Sequence, residues 1–211
     1  MNVQHAQLQG DAVAVRQAHS ADDFGLIRAA GCGAVLWPRD LPKAFQPWID
    51  ALAPANLPVA RLTLRPEAVP DTLAHLFDIA GLEEGAQSRW FADDIAHLAT
   101  QFAALMKAPY LRLRLDAVTT NACSKFHVDA MLARLICTYR GSGTQYGMAD
   151  AGAEPPQISQ APTGAPMILR GTLWPQDPPS GLRHRSPPIA GTGETRLVLV
   201  LDPIYDIEDA D

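Results

Sequence analysis

Long hydrophobic runs are missing from this 211-residue sequence. The longest uninterrupted aliphatic segment is residues 197–201, far short of the roughly 20 residues that a membrane-spanning helix requires. The first ten residues contain no apolar stretch of the kind found in secretory signals. We therefore expect a soluble, cytoplasmic protein without a membrane partner.

Basic charge and paired cysteines are also scarce. The sequence has 17 Lys and Arg against 23 Asp and Glu, a formal net charge of −6. Because binding to a phosphate backbone depends on a basic surface, we expect no nucleic-acid partner. The three cysteines form no C-x-x-C pair, which argues against a disulfide framework and a structural zinc knot.

Two common catalytic motifs are absent as well. The sequence has no G-x-S-x-G segment, and its Gly141-Ser142-Gly143-Thr144 stretch lacks the lysine of a phosphate-binding loop. Cys123 and Ser124 lie near His127 along the chain, but nothing in the sequence shows how either would be activated. A nucleophilic hydrolase is therefore disfavoured.

Helical periodicity dominates the chain up to about residue 107. It is clearest over residues 87–106, where apolar side chains recur every three or four positions. Three shorter segments are also predicted to be helices: residues 21–30, 41–52, with Asp40 as a candidate N-cap, and 70–80. Two short apolar segments are predicted to be strands at the edge of a sheet: residues 33–37 and 59–64.

After residue 109 the hydrophobic period changes from 3.6 to 2. In residues 110–117 the leucines at 111, 113 and 115 alternate with polar side chains, which predicts a strand with one apolar face. Four further strands are predicted: residues 125–129, 130–139, 166–171 and 195–202. Two turn-rich segments are predicted to be long loops: residues 148–166 and 176–188.

A run of helices followed by a run of strands predicts an α+β fold. We expect residues 1–20 to be a flexible N-terminus and residues 21–108 to form a mostly helical region. Residues 109–211 are expected to close into a small antiparallel sandwich or barrel, with the helices packed against its outside. The whole chain would form one compact domain.

The most specific local signal is His127-Val128-Asp129. On a strand, residues i and i+2 project to the same face, so an imidazole and a carboxylate would lie close together. A 2-His-1-carboxylate metal site needs one more donor, and His184 is the natural candidate. Arg196 follows twelve residues later, and its planar guanidinium suits a carboxylate ligand.

Each of these features also has a simpler interpretation. H-x-D triplets arise by chance. His184 could be a loop histidine bonded to a backbone carbonyl, and Arg196 could pair with Glu194 or Asp202. The combination favours a metal site because all of these features lie in the β half, in the order that a barrel requires.

The order H-x-D, lone His, then Arg on a strand resembles the double-stranded β-helix fold of iron(II)- and 2-oxoglutarate-dependent oxygenases. The resemblance implies a jelly-roll or cupin-like barrel in which His127, Asp129 and His184 bind iron(II). It also implies that Arg196 binds the distal carboxylate of 2-oxoglutarate. We therefore expect an oxygenase that hydroxylates a small substrate. The possible cationic interior of the barrel indicates that this substrate is anionic.

Three sequence strings, KFHVD from residue 125, CTYRGSGT from residue 137 and HRSPP from residue 184, are similar to those of an uncharacterised bacterial family. This family is catalogued as domain of unknown function 1826, and some members lie in zinc-responsive gene neighbourhoods. The alternative function is therefore a non-enzymatic, cupin-like zinc protein of metal homeostasis that uses the same ligands, because Zn²⁺ generally outcompetes Fe²⁺ for such donors. A barrel without a metal is the third alternative.

Two further residues are candidates for binding the cosubstrate. Lys125 shares strand parity with His127 and would face the same way, unless it lies at the start of the strand and extends into solvent. Tyr139 continues the same odd parity if no bulge intervenes. Otherwise Tyr139 is an aromatic residue of the core.

Three residues are candidates for binding the substrate. Arg112 and Arg114 form a row of two guanidinium groups that would suit an acidic substrate inside the barrel, although a solvated strand face that pairs with Asp116 is the simpler interpretation. Trp174 lies beside a predicted loop, where it would line a pocket.

Overall fold

The fold is built on one large, mostly antiparallel sheet, as a computed structural model of the chain shows. The model describes residues 14–150, 152–175 and 180–210. Within them the strands are β1 (Ala14–Gln17), β2 (Cys32–Leu36), β3 (Ala60–Leu64), β4 (Tyr110–Val118), β5 (Ala133–Arg140), β6 (Gln145–Met148), β7 (Ser159–Gln160), β8 (Met167–Arg170), β9 (Leu182–Arg185) and β10 (Arg196–Ile204). The α-helices are α1 (Phe45–Ala51), α2 (Val69–Ile79) and α3 (Ala86–Met106), and 3-10 helices span Ala21–Arg28, Pro54–Asn56, Pro66–Ala68 and Ile207–Ala210.

The large sheet has the strand order β1-β2-β8-β5-β10-β4-β3, and a smaller sheet has the order β7-β6-β9. Strand β10 pairs with β4 along its whole length and with β5 on its other side. Only β1 and β2 pair in parallel among the described strands. The two longest strands therefore lie side by side in the middle of the sheet, where their backbone is paired most completely.

Strict alternation along β10 separates two environments. Leu197, Leu199 and Leu201 belong to the main hydrophobic core, together with α3 side chains such as Phe91 and Phe102. Burial of such side chains contributes about 1.5–3 kcal/mol each. This side is the helix face of the sheet.

The opposite face, which we call the inner face, carries Arg196, Val198, Val200 and Asp202. Val198 and Val200 pack in a second core that includes Leu182 of the small sheet. The predicted parity of these four β10 residues is confirmed. The architecture therefore has three layers, with the helices and the small sheet on opposite sides of the large sheet.

A polar cluster is buried between α3 and the helix face. Arg39 donates two hydrogen bonds of 2.6 Å to the Asp94 carboxylate, and the Tyr139 hydroxyl donates a third, also of 2.6 Å. Burial raises the pKa of Tyr139, and the neighbouring Asp94 carboxylate raises it further, so the phenol stays protonated and donates.

Several predicted elements are confirmed and several are shifted. The helix over residues 87–106 and the strand over residues 110–117 are found almost as predicted. The first α-helix begins only at Phe45, with Ala44 rather than Asp40 as its N-cap. The segment 125–129 is not a strand, because His127 alone makes a bridge there.

The N-terminal half is only partly helical, because three strands interleave with its helices. β3 is an edge strand as predicted, whereas β2 lies inside the sheet, between β1 and β8. Of the N-terminus predicted to be flexible, residues 1–13 lie outside the described residues and residues 14–17 form β1.

Two predicted loops also contain strands. Residues 148–166 include β7, and residues 176–188 include β9, although residues 176–179 lie outside the described part. Among the described residues, no helix has both the length and the apolar character needed to cross a bilayer.

Candidate metal centre

Two histidines from separate parts of the chain lie side by side between the sheets. The backbones of His127 and His184 form an antiparallel bridge with two N–H···O hydrogen bonds of 3.0 Å. Directly opposed residues project to the same side of a ladder, and the two ring centroids are 4.5 Å apart. β9 thus positions His184, and the bridge positions His127.

The carboxylate of Asp129 faces both rings. Its Oδ2 lies 3.2 Å from His184 Nε2, and its Oδ1 lies 3.7 Å from His127 Nε2. One potential ligand atom from each of the three residues falls within a group whose members are all within 4.8 Å of one another. The structure therefore brings together the three residues that the sequence singled out as metal ligands.

The hydrogen bonds of the site direct unprotonated atoms towards a common point. His127 Nδ1 lies 2.8 Å from the Lys125 carbonyl oxygen. A carbonyl can only accept, so Nδ1 carries a proton, and in the neutral ring Nε2 presents its lone pair. Asp129 Oδ2 is buried without a hydrogen-bond partner, which is costly unless a cation binds there.

The electrostatics of the site favour the protonation states that a metal requires at Asp129 and His184, but not at His127. Burial acts to raise the pKa of Asp129, but the two imidazoles and the Arg134 charge outweigh it and hold the pKa well below its usual range. Burial lowers the pKa of His184, so this ring is neutral near pH 7. The Asp129 carboxylate raises the pKa of His127, so protons compete with a metal there in acid. Two neutral imidazoles and one carboxylate fit a divalent ion.

Sequence analysis missed Arg134, which supports this carboxylate. Arg134 Nη1 donates a 2.6 Å hydrogen bond to Asp129 Oδ1, while its Nε and Nη2 donate to the two oxygens of Asp202 at 2.6 and 2.9 Å. Arg114 approaches the same Asp202 carboxylate at 3.4 Å. The available signal was a single charge within the otherwise apolar segment 133–137.

A cavity of about 120 Å³ lies beside the two histidines. A single water needs only about 10–15 Å³ by this measure, so the cavity has room for a small molecule. Its walls carry four guanidinium groups, an acidic side chain and several apolar side chains. The lining includes Arg114, Arg134, Arg185, Arg196, Asp116, Thr144, Ile136, Val198 and Val200.

Arg196 is a buried cation in the wall of this cavity, with 1% of its surface exposed. Its Nε donates to the Ser142 carbonyl at 2.6 Å and its Nη2 to Thr138 Oγ1 at 3.3 Å. Burial lowers the pKa of Arg196, against the opposing charge of Glu194.

Neither of the ion pairs suggested for Arg196 is present. Glu194 instead accepts hydrogen bonds from Ser142, and Asp202 binds Arg134. Among the described residues, no carboxylate forms an ion pair with Arg196. A buried charge without a counterion is costly, so the cavity is suited to an anion at this end.

The predicted substrate residues separate into two groups. Arg114 lines the cavity and is half-buried. Arg112 lies opposite Asp202 in the strand register and is not part of the cavity lining. Trp174 packs over the guanidinium of Arg170, at 4.8 Å, and against the core on the helix face, so it does not line this cavity either.

The two additional cosubstrate candidates are not brought to the cavity. The side chain of Lys125 is exposed, and only its backbone carbonyl serves the site, through His127. Tyr139 lies on the helix face, where it binds Asp94. The condition for Tyr139 to share a face with His127, an unbroken strand, is not met, because the segment between them is irregular. Tyr139 is an aromatic residue of the core, as in the alternative prediction.

The segment that carries Asp129 is held against the end of β8 by close backbone contacts. Gly171 N donates to Leu132 O, and Thr172 N donates to Asp129 O, both at 2.8 Å. A Cβ atom on Gly171 would lie 2.0 Å from the Met131 carbonyl oxygen and 2.7 Å from that of Asp129. Only glycine allows this approach.

We therefore expect Gly171→Ala to displace Asp129 and weaken Zn²⁺ binding by roughly tenfold or more, with a loss of stability of about 1–3 kcal/mol. Isothermal titration calorimetry and thermal melting measure the two effects. Gly25→Ala is the control, since an added Cβ meets nothing within 4 Å there. Unchanged zinc affinity in Gly171→Ala would show that this contact does not position Asp129.

The fold is similar to that of a dioxygenase of known structure. The crystal structure of the dioxygenase for auxin oxidation from rice matches with a TM-score of 0.50 and 11% identity over 93% of this chain and 85% of that chain. The 2-oxoglutarate complex of the dioxygenase for auxin oxidation 1 from Arabidopsis thaliana matches with a TM-score of 0.48 and 13% identity, over 92% of this chain and 94% of that chain. An oxidoreductase of the 2OG-Fe(II) oxygenase family from Burkholderia pseudomallei matches with a TM-score of 0.41 and 16% identity, over 89% of this chain and 94% of that chain.

The match to the rice protein shows a likeness of fold alone, since only 11% of the residues are identical. No curated protein matches the sequence. Residues 18–202 match the family described as protein of unknown function DUF1826, and the chain belongs to that family. The family resemblance noted from the three sequence strings is thereby confirmed.

Proposed function

We propose that this protein is an iron(II)- and 2-oxoglutarate-dependent oxygenase that hydroxylates a small anionic substrate. The supporting observation is the combination of a His-Asp-His cluster with a cavity whose wall contains the buried guanidinium of Arg196, which forms no ion pair with a carboxylate of the described residues. We also propose that the inner face of the large sheet and the small sheet are the two halves of a double-stranded β-helix.

In this proposal His127, Asp129 and His184 hold the iron. Three protein donors leave the remaining coordination positions free for other ligands. When bound, iron(II) with 2-oxoglutarate and dioxygen supplies the oxidant: one oxygen atom enters the substrate as a hydroxyl group and the other enters succinate, with release of CO₂. The protein's own groups bind, orient and exclude water.

Arg196 is the residue that we assign to the distal carboxylate of 2-oxoglutarate. Its guanidinium is immobilised by Ser142 and Thr138, so a carboxylate that binds it loses little of the interaction to side-chain ordering. Val198 and Val200 continue the wall along the same strand face. These apolar side chains offer water no hydrogen-bond partner along this part of the wall.

Charge supports an anionic substrate. The cavity lining contains four arginines but only one acidic residue, Asp116. Asp202 and Asp129 offset Arg134 and part of the Arg114 charge through their ion pairs. A divalent ion adds two positive charges, and 2-oxoglutarate brings two negative ones. Arg185 is paired only with the exposed Glu154, at 3.9 Å, which offsets little of its charge, so cationic character remains for the substrate. Arg114 is the residue that we assign to bind it.

Anaerobic titration tests the proposal. The protein loaded with iron(II) should develop a visible metal-to-ligand charge-transfer band when 2-oxoglutarate is added. Succinate formation under air should then rise more with small carboxylates, sulfonates or phosphonates than with their neutral analogues. Absence of the band would overturn the oxygenase proposal, and tight zinc binding without 2-oxoglutarate binding would support a zinc protein of metal homeostasis instead.

A further inference from the structure

One ligand of the metal centre lies on an irregular segment, although metal binding requires it to be rigid. His184 belongs to β9, and His127 is fixed by its backbone bridge. Asp129 lies between that bridge and β5, outside any strand. Its carboxylate therefore needs support from another part of the fold.

The support comes from the central strands of the large sheet. Arg134 is on β5 and Asp202 is on β10, and these two strands pair in a register that puts Leu135 opposite Leu201. The Nε and Nη2 atoms of Arg134 donate to the two oxygens of Asp202 at 2.6 and 2.9 Å. Because a guanidinium is planar with fixed donor directions, this fork sets the direction of Nη1.

The third contact of the guanidinium reaches the metal ligand. Arg134 Nη1 donates to Asp129 Oδ1 at 2.6 Å. The other oxygen, Oδ2, is buried without a hydrogen-bond partner and lies 3.2 Å from His184 Nε2. Oδ1 is thus held by Arg134 and lies 3.7 Å from His127 Nε2, whereas Oδ2 faces His184 and has no hydrogen-bond partner.

Burial makes this arrangement rigid. The side chains of Arg134, Asp202 and Asp129 are 15%, 4% and 11% exposed. Two arginines, Arg114 and Arg134, face two carboxylates, so the cluster is neutral before any ion binds. Neither carboxylate can leave its partner without burying an unpaired charge.

We propose that Arg134, anchored by Asp202, is a positioning residue that makes Asp129 a one-oxygen ligand of the bound metal. This inference rests on the proposed function only in requiring that the His-Asp-His cluster binds a divalent ion. Without the fork, the Asp129 carboxylate turns about its Cβ–Cγ bond and presents both oxygens or neither.

The test compares two variants of the pair with a matched control. Arg134→Lys keeps the positive charge but removes the planar fork of donors. Asp202→Asn keeps the size of the anchoring side chain but removes its charge. Two variants are used so that the test still works if one of them does not fold. Arg39→Lys makes the same exchange in the buried Arg39–Asp94 pair on the helix face, whose two hydrogen bonds are also 2.6 Å long.

Calorimetric titration with Co²⁺ and the visible spectrum of the cobalt protein are the readouts, with thermal melting as the check on folding. We expect Arg134→Lys and Asp202→Asn to bind Co²⁺ roughly 10–100-fold more weakly than the wild type. Their cobalt spectra should change, because the number of carboxylate oxygens on the ion changes. Arg39→Lys should melt at a lower temperature but keep wild-type affinity and spectrum.

Each contrary outcome has a distinct meaning. Wild-type affinity and spectrum in both pair variants would overturn the positioning role and leave the metal site intact. An equal loss of affinity in Arg39→Lys would overturn it too, by showing a general effect of stability. A wild-type protein that binds no Co²⁺ would overturn the metal site, and with it the proposed function.

Discussion

Asp129→Ala should bind Zn²⁺ or Co²⁺ at least about 100-fold more weakly than the wild type, more than the loss of a supporting residue costs. The substitution removes the anionic donor of the cluster. It also removes the carboxylate that lies 2.6 Å from Arg134 Nη1 in the native protein, so the guanidinium keeps only its bonds to Asp202 and its charge is less compensated near the incoming cation. Both effects oppose metal binding.

The measurement is calorimetric titration of the metal-free protein, with circular dichroism as the check on folding. Asp116→Ala is the matched control, because Asp116 lines the same cavity but does not belong to the His-Asp-His cluster. Its metal affinity should stay within about threefold of the wild-type value, since solvent screens charges that are not in contact. Tight binding by Asp129→Ala would exclude this residue as a ligand.

Arg196→Leu should lose 2-oxoglutarate binding by roughly 100-fold or more, since removing one partner of a buried ion pair costs about 2–5 kcal/mol. Metal affinity should remain at the wild-type level, because Arg196 contacts Ser142 and Thr138 rather than any of the three ligands. The two effects separate cosubstrate binding from metal binding.

Equilibrium titration of the zinc-loaded protein with 2-oxoglutarate measures this effect without turnover. Arg196→Lys should show an intermediate loss, because an ammonium keeps the charge but lacks the planar fork. Arg140→Leu is the control, since Arg140 lies beyond the cavity lining and donates to the Leu52 carbonyl. If Arg196→Leu binds 2-oxoglutarate as tightly as the wild type, another residue holds its distal carboxylate.

The two faces of the large sheet explain why neighbouring residues have different roles. Tyr139 and Thr138 are adjacent on β5, yet Tyr139 joins the buried cluster around Asp94 and Thr138 contacts Arg196. The same alternation on β10 separates Leu197 from Arg196. Buried charge therefore occurs on both faces, but only the inner face places it beside two histidines.

Much of the candidate site could be predicted because strand parity is a local property. The alternation around Arg196 showed which side chains of β10 face the same way, and His127 and Asp129 were recognised as a pair by their spacing. The bridge that joins His127 to His184 could not be predicted. It connects segments 57 residues apart (184 − 127 = 57), and neither segment has the apolar alternation of a buried strand.

Parity also failed where the strand was interrupted. The shared face predicted for Tyr139 and His127 assumed that the strand continues through residues 128–132. These residues form no strand, so the Tyr139 ring lies on the other face. Lys125 failed for a related reason, because its segment pairs with β9 only at His127. The support that Asp202 and Arg134 give to Asp129 depends on the β5–β10 register, which no local pattern reports.

The amino-acid order by itself determined the long helix, the central strands, the residues that share each face of β10 and the identity of the three candidate ligands. The helix, the strands and the faces follow from periodicity over a few residues, and His127 and Asp129 follow from their spacing, whereas His184 was chosen as the other histidine of the β half. Only the tertiary structure decided that the candidate ligands meet, that a fork of hydrogen bonds holds one carboxylate oxygen, and that Arg196 is buried with no ion pair to a carboxylate in the described part of the chain. These properties depend on strand order and register, and so on contacts between residues far apart along the chain.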